Sequence, residues 1–502
     1  MIIEKINLKS LLPIIGIISS IEVLSFLSYR TSWLNSLFFI LVCLLTFIAT
    51  YKKLGYGLLI IIAELCIGSE GHLFLLTVQG HQIGIRIGLF VTVLGVWLFK
   101  YASWKRLKEY GRERTTQLFF LFLGVLLYSG LLGLLYHNHI SDIIADGQRY
   151  VFFALYFVFL DVFKTPQTIY NLLKVLFATV ITLTTKATLI LILTMNNVAN
   201  ESATRLIYRW VRTSSRVGEI TDMKNGFFRV FIQSQIFELV AVFVLTLFIA
   251  YIFNFPRTKD AMNRVSTGLK KHIAFYFSFL IITCFALIMG LSRSFWAAGA
   301  GTGLLLVITL TWRFKMHWKA IMGALGSTIL AGLIGVVLIN YVFGAAINNR
   351  VNASDPAASS RWKMLPPLIS EIKKHPIIGS GIGTAVTYQS DDPRYKNEEN
   401  PEGWHTTYAF EWGYLDFILK FGIMGTIVYI WFLGYLAWQG WKLTKHKDEY
   451  GIIAGGFLLG LIAVGATHML SPYLNHPLGI GYVLICIGVF QVIKNEKVLV
   501  GA

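Results

Sequence analysis

The residues with the most chemical potential lie in one hydrophilic run, 346–412, which carries Arg350, Arg361, His375, Arg394 and His405. His405 sits in Gly403-Trp-His-Thr-Thr-Tyr. A neutral imidazole there can take a proton from a hydroxyl, and Tyr408, one helical turn further on, could orient it. A second run, 195–231, holds Arg205, Arg209, Arg212, Arg216, Lys224 and Arg229 against only Glu201, Glu219 and Asp222. Arg293 stands in a third place, the turn Gly290-Leu-Ser-Arg-Ser-Phe-Trp, which joins two apolar runs almost without a linker. Guanidinium groups bind phosphate oxygens in pairs, so these clusters suit an anionic, phosphate-bearing ligand.

The rest of the chain must position these groups, and it is apolar. Of 502 residues, 55% are hydrophobic and 14% charged, against about 25% charged in soluble domains. The expected fold is therefore an all-α polytopic membrane protein. Fourteen candidate spans are read at 11–29, 32–50, 55–76, 82–100, 118–137, 149–163, 173–194, 232–254, 273–291, 294–311, 320–345, 413–436, 451–471 and 476–493. The least regular are 55–76, interrupted by Glu64 and Glu70, and the short 149–163. Lys5 and Lys9 precede a first apolar run without a small-residue cleavage site, which reads as a first span. Cys43, Cys66, Cys284 and Cys486 all lie within apolar runs and lack metal-ligand spacing, so neither a zinc site nor a disulfide framework is expected.

In this count the Lys/Arg-rich loops around Lys52, 100–114, 256–271, 313–319 and 442–447, and the tail at 494–497, share one side. The positive-inside tendency makes that side the cytoplasm and puts both termini there. The runs 195–231 and 346–412 and the Ser292–Arg293 turn then fall outside. Arginines kept on the translocated side suggest an anionic ligand there, with attraction to anionic lipid headgroups as the alternative. The chain reads as a single membrane domain with two external excursions, 195–231 and the larger 346–412.

Within the large loop, 359–376 reads as a surface helix with Ser359 or Ser360 as its cap and His375-Pro376 as its end. At 100° per residue Leu365, Leu368 and Ile372 share a face with Arg361, so the helix is expected to lie apolar side down on the membrane, with Arg361 near headgroup depth. Gly379, Gly381 and Gly383 do not have dinucleotide-binding spacing and instead suit a tight, close-packed turn. Glu22, Glu64, Arg86, Lys186, Glu238 and Asp416 fall inside spans; ion pairs such as Glu64 with Arg86 are one explanation and a transport pathway is another.

Taken in order, Leu291-Ser-Arg-Ser, Ser360-Arg-Trp, His375-Pro-Ile-Ile-Gly-Ser-Gly-Ile-Gly, His405-Thr-Thr-Tyr and Lys420-Phe-Gly-Ile-Met-Gly resemble the O-antigen ligase and polymerase superfamily of bacterial membrane glycosyltransferases. The resemblance covers roughly 290–427. It implies a C-type glycosyltransferase-like fold and transfer from an undecaprenyl-pyrophosphate-linked glycan, without a cofactor or metal. The acceptor would be a hydroxyl of a lipid A-core sugar, a polysaccharide or a protein. It also implies that His405 is the base and that Arg361, Arg293 and Arg229 contact the diphosphate. His375, Tyr408 and Arg216 are further candidates for a supporting part. Thr406 stands where the family usually has Asn, and Lys420 near a position often acidic. A repeat-unit polymerase and a lipid-linked oligosaccharide flippase are the competing readings.

Overall fold

A computed structural model describes residues 2–194, 201–222, 228–254, 259–343, 356–392 and 395–501. Arg350, Lys224 and Arg394 lie outside the described residues. Twelve of the described helices are long and apolar enough to cross a membrane, or thirteen if the bent pair Ile85–Tyr101 and Trp104–Gly111, at 106°, counts as one span. The protein is an all-α polytopic membrane protein.

The expected count of fourteen is corrected at 55–76. The helix there, Leu54–Gly68, has only 15 residues, about 22 Å of rise, and falls short of a bilayer core. Gly71 turns the chain with φ +88°, and the next segment is a hairpin, Leu75–Val78 paired with His81–Gly84. The ion pair expected as one possibility exists: Arg86 donates to both carboxylate oxygens of Glu64, at 2.7 and 3.0 Å, and both side chains are buried. The short span 149–163 is the end of a longer, broken one, Ile140–Val162.

Hydrogen bonds between helix ends sort the chain into two faces. On one face Lys100 meets Tyr51, Arg106 meets Asp161, Arg313 meets Trp441 and Thr444, and Lys494 meets Glu113. Ile2 joins this face through Glu449. On the other, Ser25 meets Leu73, Trp210 meets Ser25, Arg229 meets Gly290, and Ser294 meets Ser471. The first face collects the Lys/Arg-rich short loops; the second carries the two long excursions.

The large loop is fastened to the second face at a break in the membrane helix Gly413–Leu443. Gly422 has φ 67° and ψ 177°, a backbone region essentially restricted to glycine. A helix broken in lipid must have its freed backbone groups satisfied by other protein. Here the loop does so. Ile423 and Met424 donate to the carbonyls of Pro376 and Ile377, while Ser380 and Gly381 donate to those of Leu419 and Lys420. The three glycines are the means of approach. Each has positive φ, and a Cβ on Gly381 would stand 2.2 Å from the Gly133 nitrogen, so the tight turn expected from their spacing is present.

Below the break lies a buried charge cluster. The ammonium of Lys420 reaches Asp416 at 2.6 Å, Asp146 at 2.8 Å and the carbonyl of Tyr408 at 3.0 Å. Asp146 accepts from the Gly383 amide, and Asn475 donates to Asp416. Asn138 donates to Ser380, Ile382 and Thr384. One cation thus ties three parts of the chain together: its own helix, the helix Ile140–Gly147 and the segment at Tyr408.

Lys420→Met should cost about 3–5 kcal/mol by stranding two buried carboxylates, read as a large fall in the melting temperature of the detergent-solubilised protein. Gly422→Ala would set a Cβ 2.1 Å from the Ile377 carbonyl oxygen, in a conformation costing about 1–3 kcal/mol. It should free the 376–384 loop for proteolysis at temperatures where the wild type resists.

Candidate functional site

The loop helix runs Pro356–Ile372 and continues through Pro366 and Pro367. It starts before the expected cap, so Ser359 and Ser360 lie within it and act as latches. Ser359 donates to Asp391 at 2.5 Å, and Ser360 meets Ser390 at 3.1 Å and accepts from the Asp391 amide. Lys363 also binds Asp391 at 2.7 Å; that ammonium, with Ser359, holds the Asp391 carboxyl below its ordinary range.

The expected face is nearly right in phase and wrong in partner. Met364 and Leu368 are the buried positions, and they pack with Val386, Tyr388, Phe410 and Leu419. The helix therefore spends its apolar stripe on protein rather than on lipid. The partner is a hairpin, Val386–Gln389 antiparallel to Trp404–Thr407. Its two-residue period sends Val386, Tyr388, His405 and Thr407 to one face and Thr387, Gln389, Trp404 and Thr406 to the other.

Between helix and hairpin lies a cavity of ≈ 220 Å³ lined by Ser360, Arg361, Met364, Tyr388, Ser390, Asp392, Tyr395, His405, Thr407, Ala409 and Glu411. Arg361 and His405 thus share one chamber although 43 residues separate them in sequence. The imidazole is sandwiched in aromatic contacts, stacked on Tyr395 at 3.7 Å and edge-on to Tyr388 at 5.8 Å. Arg361 forms an ion pair with Glu411, and its carbonyl accepts from the Trp412 indole at 3.0 Å. A half-exposed guanidinium facing a carboxylate can exchange that partner for another anion at modest cost.

Arg229 and Arg293 form a second pair of sites. Arg229 donates to the Gly290 carbonyl at 2.9 Å and lies over Phe231. It thereby meets the turn that carries Arg293, which is exposed at the N-terminus of the helix Arg293–Ile308. That terminus adds amides without intrahelical acceptors and a positive dipole end to the guanidinium. Neither arginine lines the cavity.

The supporting candidates take other positions. Residues 404–407 form a strand, so Tyr408 is not one helical turn from His405. Its ring faces Arg149 at 5.8 Å and its carbonyl binds Lys420. His375 lies three residues beyond the end of the loop helix and stacks on Tyr136 at 4.5 Å, outside the cavity. Arg216, at φ 47°, stands 4.0 Å from Glu70. Sequence reasoning passed over Glu411, Tyr388 and Tyr395 as lining groups, and Asp146 as the counter-charge of Lys420. The β-branched and aromatic runs Val386-Thr-Tyr-Gln and Trp404-His-Thr-Thr were the available strand signal.

These features define a multi-pass membrane protein with a polar chamber built by a loop on one face. Residues 278–430 match the family described as O-Antigen ligase, which includes the broken helix, the glycine turn, Arg293, Arg361 and His405. This segment is similar to the O-antigen ligase superfamily. No curated protein matched the chain.

His375→Ala should lower stability by about 0.5–1.5 kcal/mol through loss of the ring stack, whereas His375→Phe should restore the melting temperature. Function should survive the phenylalanine substitution, because the imidazole nitrogens are not required.

Proposed function

We propose that the protein transfers a glycan from an undecaprenyl-pyrophosphate carrier to an acceptor hydroxyl, at the outer face of a bacterial inner membrane. In this reading the basic loops and both termini are cytoplasmic, in line with the positive-inside tendency. The observation that carries it is the meeting of Arg361 and His405 in one chamber within the segment matched to the family.

In the proposed step the acceptor oxygen attacks the anomeric carbon from the side opposite the diphosphate, with inversion. A new C–O bond forms, the hydroxyl proton passes to a ring nitrogen of His405, and the bond to the diphosphate oxygen breaks with its electron pair. Pyrophosphate is a good leaving group that needs charge stabilisation more than protonation. Fixed guanidinium groups supply it without reorganisation and without a metal. Arg361 receives the diphosphate as Glu411 yields; Arg293 and Arg229 form the second hold, nearer the membrane spans. Tyr395 and Tyr388 restrict the imidazole to an orientation facing the chamber.

The flippase reading expects intramembrane charges to line a pathway. Three sets instead pair with one another: Lys186 with Glu22 at 2.5 Å, Arg86 with Glu64, and Lys420 with Asp416 and Asp146. This supports the enzyme over the transporter. Ligase and polymerase versions share the same chemistry and differ in the acceptor.

The test is transfer by the purified chain in detergent, with undecaprenyl-pyrophosphate-linked glycan and candidate acceptors. His405→Ala should reduce kcat/KM by about 10²–10⁴-fold with donor binding retained. Near-normal transfer by that variant would overturn the assignment of the base, and activity confined to sealed vesicles would overturn the enzyme reading. Arg361→Ala should weaken donor use about 10-fold or more, and Arg361→Lys should restore only part, since lysine cannot bind two oxygens in a fork.

A further inference from the structure

The outward face of the loop hairpin has no part in the proposed transfer chemistry, yet its one large side chain is unusually constrained. Trp404 is 51% exposed. An exposed side chain ordinarily keeps its rotamer freedom. Here one hydrogen bond restrains the side chain and two more hold its backbone. The indole nitrogen donates to Glu402 at 2.5 Å. The Asn400 side chain clamps both backbone polar atoms, accepting from the Trp404 amide at 3.2 Å and donating to its carbonyl at 2.8 Å. Asn400 is itself held by Asn397 at 2.9 Å. Gly403, at φ 73°, lets the chain approach Ser390 where a Cβ would lie 2.2 Å from its carbonyl oxygen.

The surroundings of the indole are polar and exposed. Gln389 is directly opposite Trp404 in the register, and Thr387 is opposite Thr406, their hydroxyls 2.8 Å apart. All three are exposed. A held aromatic plane bordered by hydroxyls, an amide and a carboxylate is the surface that a sugar ring needs. Its axial C–H groups lie on the indole face while its hydroxyls find donors and acceptors at the edge. A membrane-anchoring role fits less well, because Glu402 and the exposed Glu398 and Glu399 would be driven from anionic headgroups. Lys396 does not offset them, since it leans toward Asp391 at 3.8 Å.

We propose that the Trp404 face is a glycan subsite for the acceptor, selecting neutral or amino-bearing sugars and disfavouring uronic or phosphorylated ones. The inference rests on the proposed transfer reaction for the word acceptor; the binding itself does not need it. Continuity with the chamber argues for that occupant. Trp404 and His405 are consecutive on a strand that no third strand joins among the described residues and whose outer edge Asn400 caps at Trp404, so their side chains point to opposite faces of the same edge. A glycan crossing that edge places its terminal sugar in the chamber, which has room for a single ring, and the next sugar on the indole. Glu398, Glu399 and Glu402 then act as a charge filter for the acceptor.

The test is binding of fluorescently labelled full-length protein in nanodiscs to immobilised neutral, amino-bearing and uronic oligosaccharides, without donor. The wild type should retain neutral or amino-bearing glycans, Trp404→Ala should lose at least about 10-fold in affinity, and Trp404→Phe should keep part of it. Glu402→Gln should weaken binding several-fold and narrow the discrimination against uronic glycans. Unchanged melting temperatures in these exposed-site variants would show that folding is intact; where Trp404→Ala melts early, Trp404→Phe and Glu402→Gln carry the test. Equal glycan binding by wild type and Trp404→Ala would overturn the proposal. So would a loss in Trp404→Ala confined to vesicles of phosphatidylglycerol. Trp404-dependent glycan binding in a protein that transfers nothing would overturn the reaction and leave the subsite standing; transfer indifferent to Trp404 would do the reverse.

Discussion

The structure depends on one awkward requirement, a membrane helix broken at Gly422. A break inside a span frees carbonyls and amides that lipid cannot satisfy, and each would cost several kcal/mol if left unpaired. The protein meets them with its own extramembrane loop. Pro376, Ile377, Ser380 and Gly381 supply the missing partners, and three glycines allow the approach. The loop is therefore part of the membrane domain's hydrogen bonding, and the chamber above it inherits a rigid base.

Lys420 turns that contact into a fixed geometry. A buried ammonium is costly unless surrounded by acceptors, and here Asp146, Asp416 and the Tyr408 carbonyl surround it. Because Tyr408 directly follows the strand that bears His405, the buried cation holds the end of the hairpin. From there the helix Pro356–Ile372 and the hairpin need only a small apolar cluster around Leu368 and Phe410 to face each other across the chamber. Charge inside the membrane and polarity outside it are thus one arrangement. The intramembrane ionisable residues that suggested a transport pathway hold the scaffold together.

Much of this was legible in the chain. Apolar run lengths give the spans because a bilayer has a set thickness, and the Lys/Arg distribution sorts the loops onto two faces. The glycine spacing before Thr384 correctly signals close packing, since only glycine tolerates positive φ without a clash. Arg361, His405 and Arg293 stand out because polar residues in so apolar a chain need a reason. The span count failed at Leu54–Gly68, where fifteen residues were extended by a hairpin whose composition is also apolar. The loop helix was assigned to lipid because hydrophobic periodicity reports that a face is buried and not what buries it.

By itself, then, the sequence determined the class of protein and which polar residues stand out in an apolar chain, because these depend on local composition and spacing. Tertiary structure decided which of them meet. His405 and Arg361 share a chamber only because a hairpin folds back on a helix, and Arg361 faces Glu411 for the same reason. Asp146, 274 residues from Lys420, becomes its counter-charge only when the spans pack. Tyr408 meets Lys420 through its carbonyl and Arg149 through its ring, because 404–407 is a strand and not a helix. Such pairings depend on distances through space, which residue spacing along the chain does not encode.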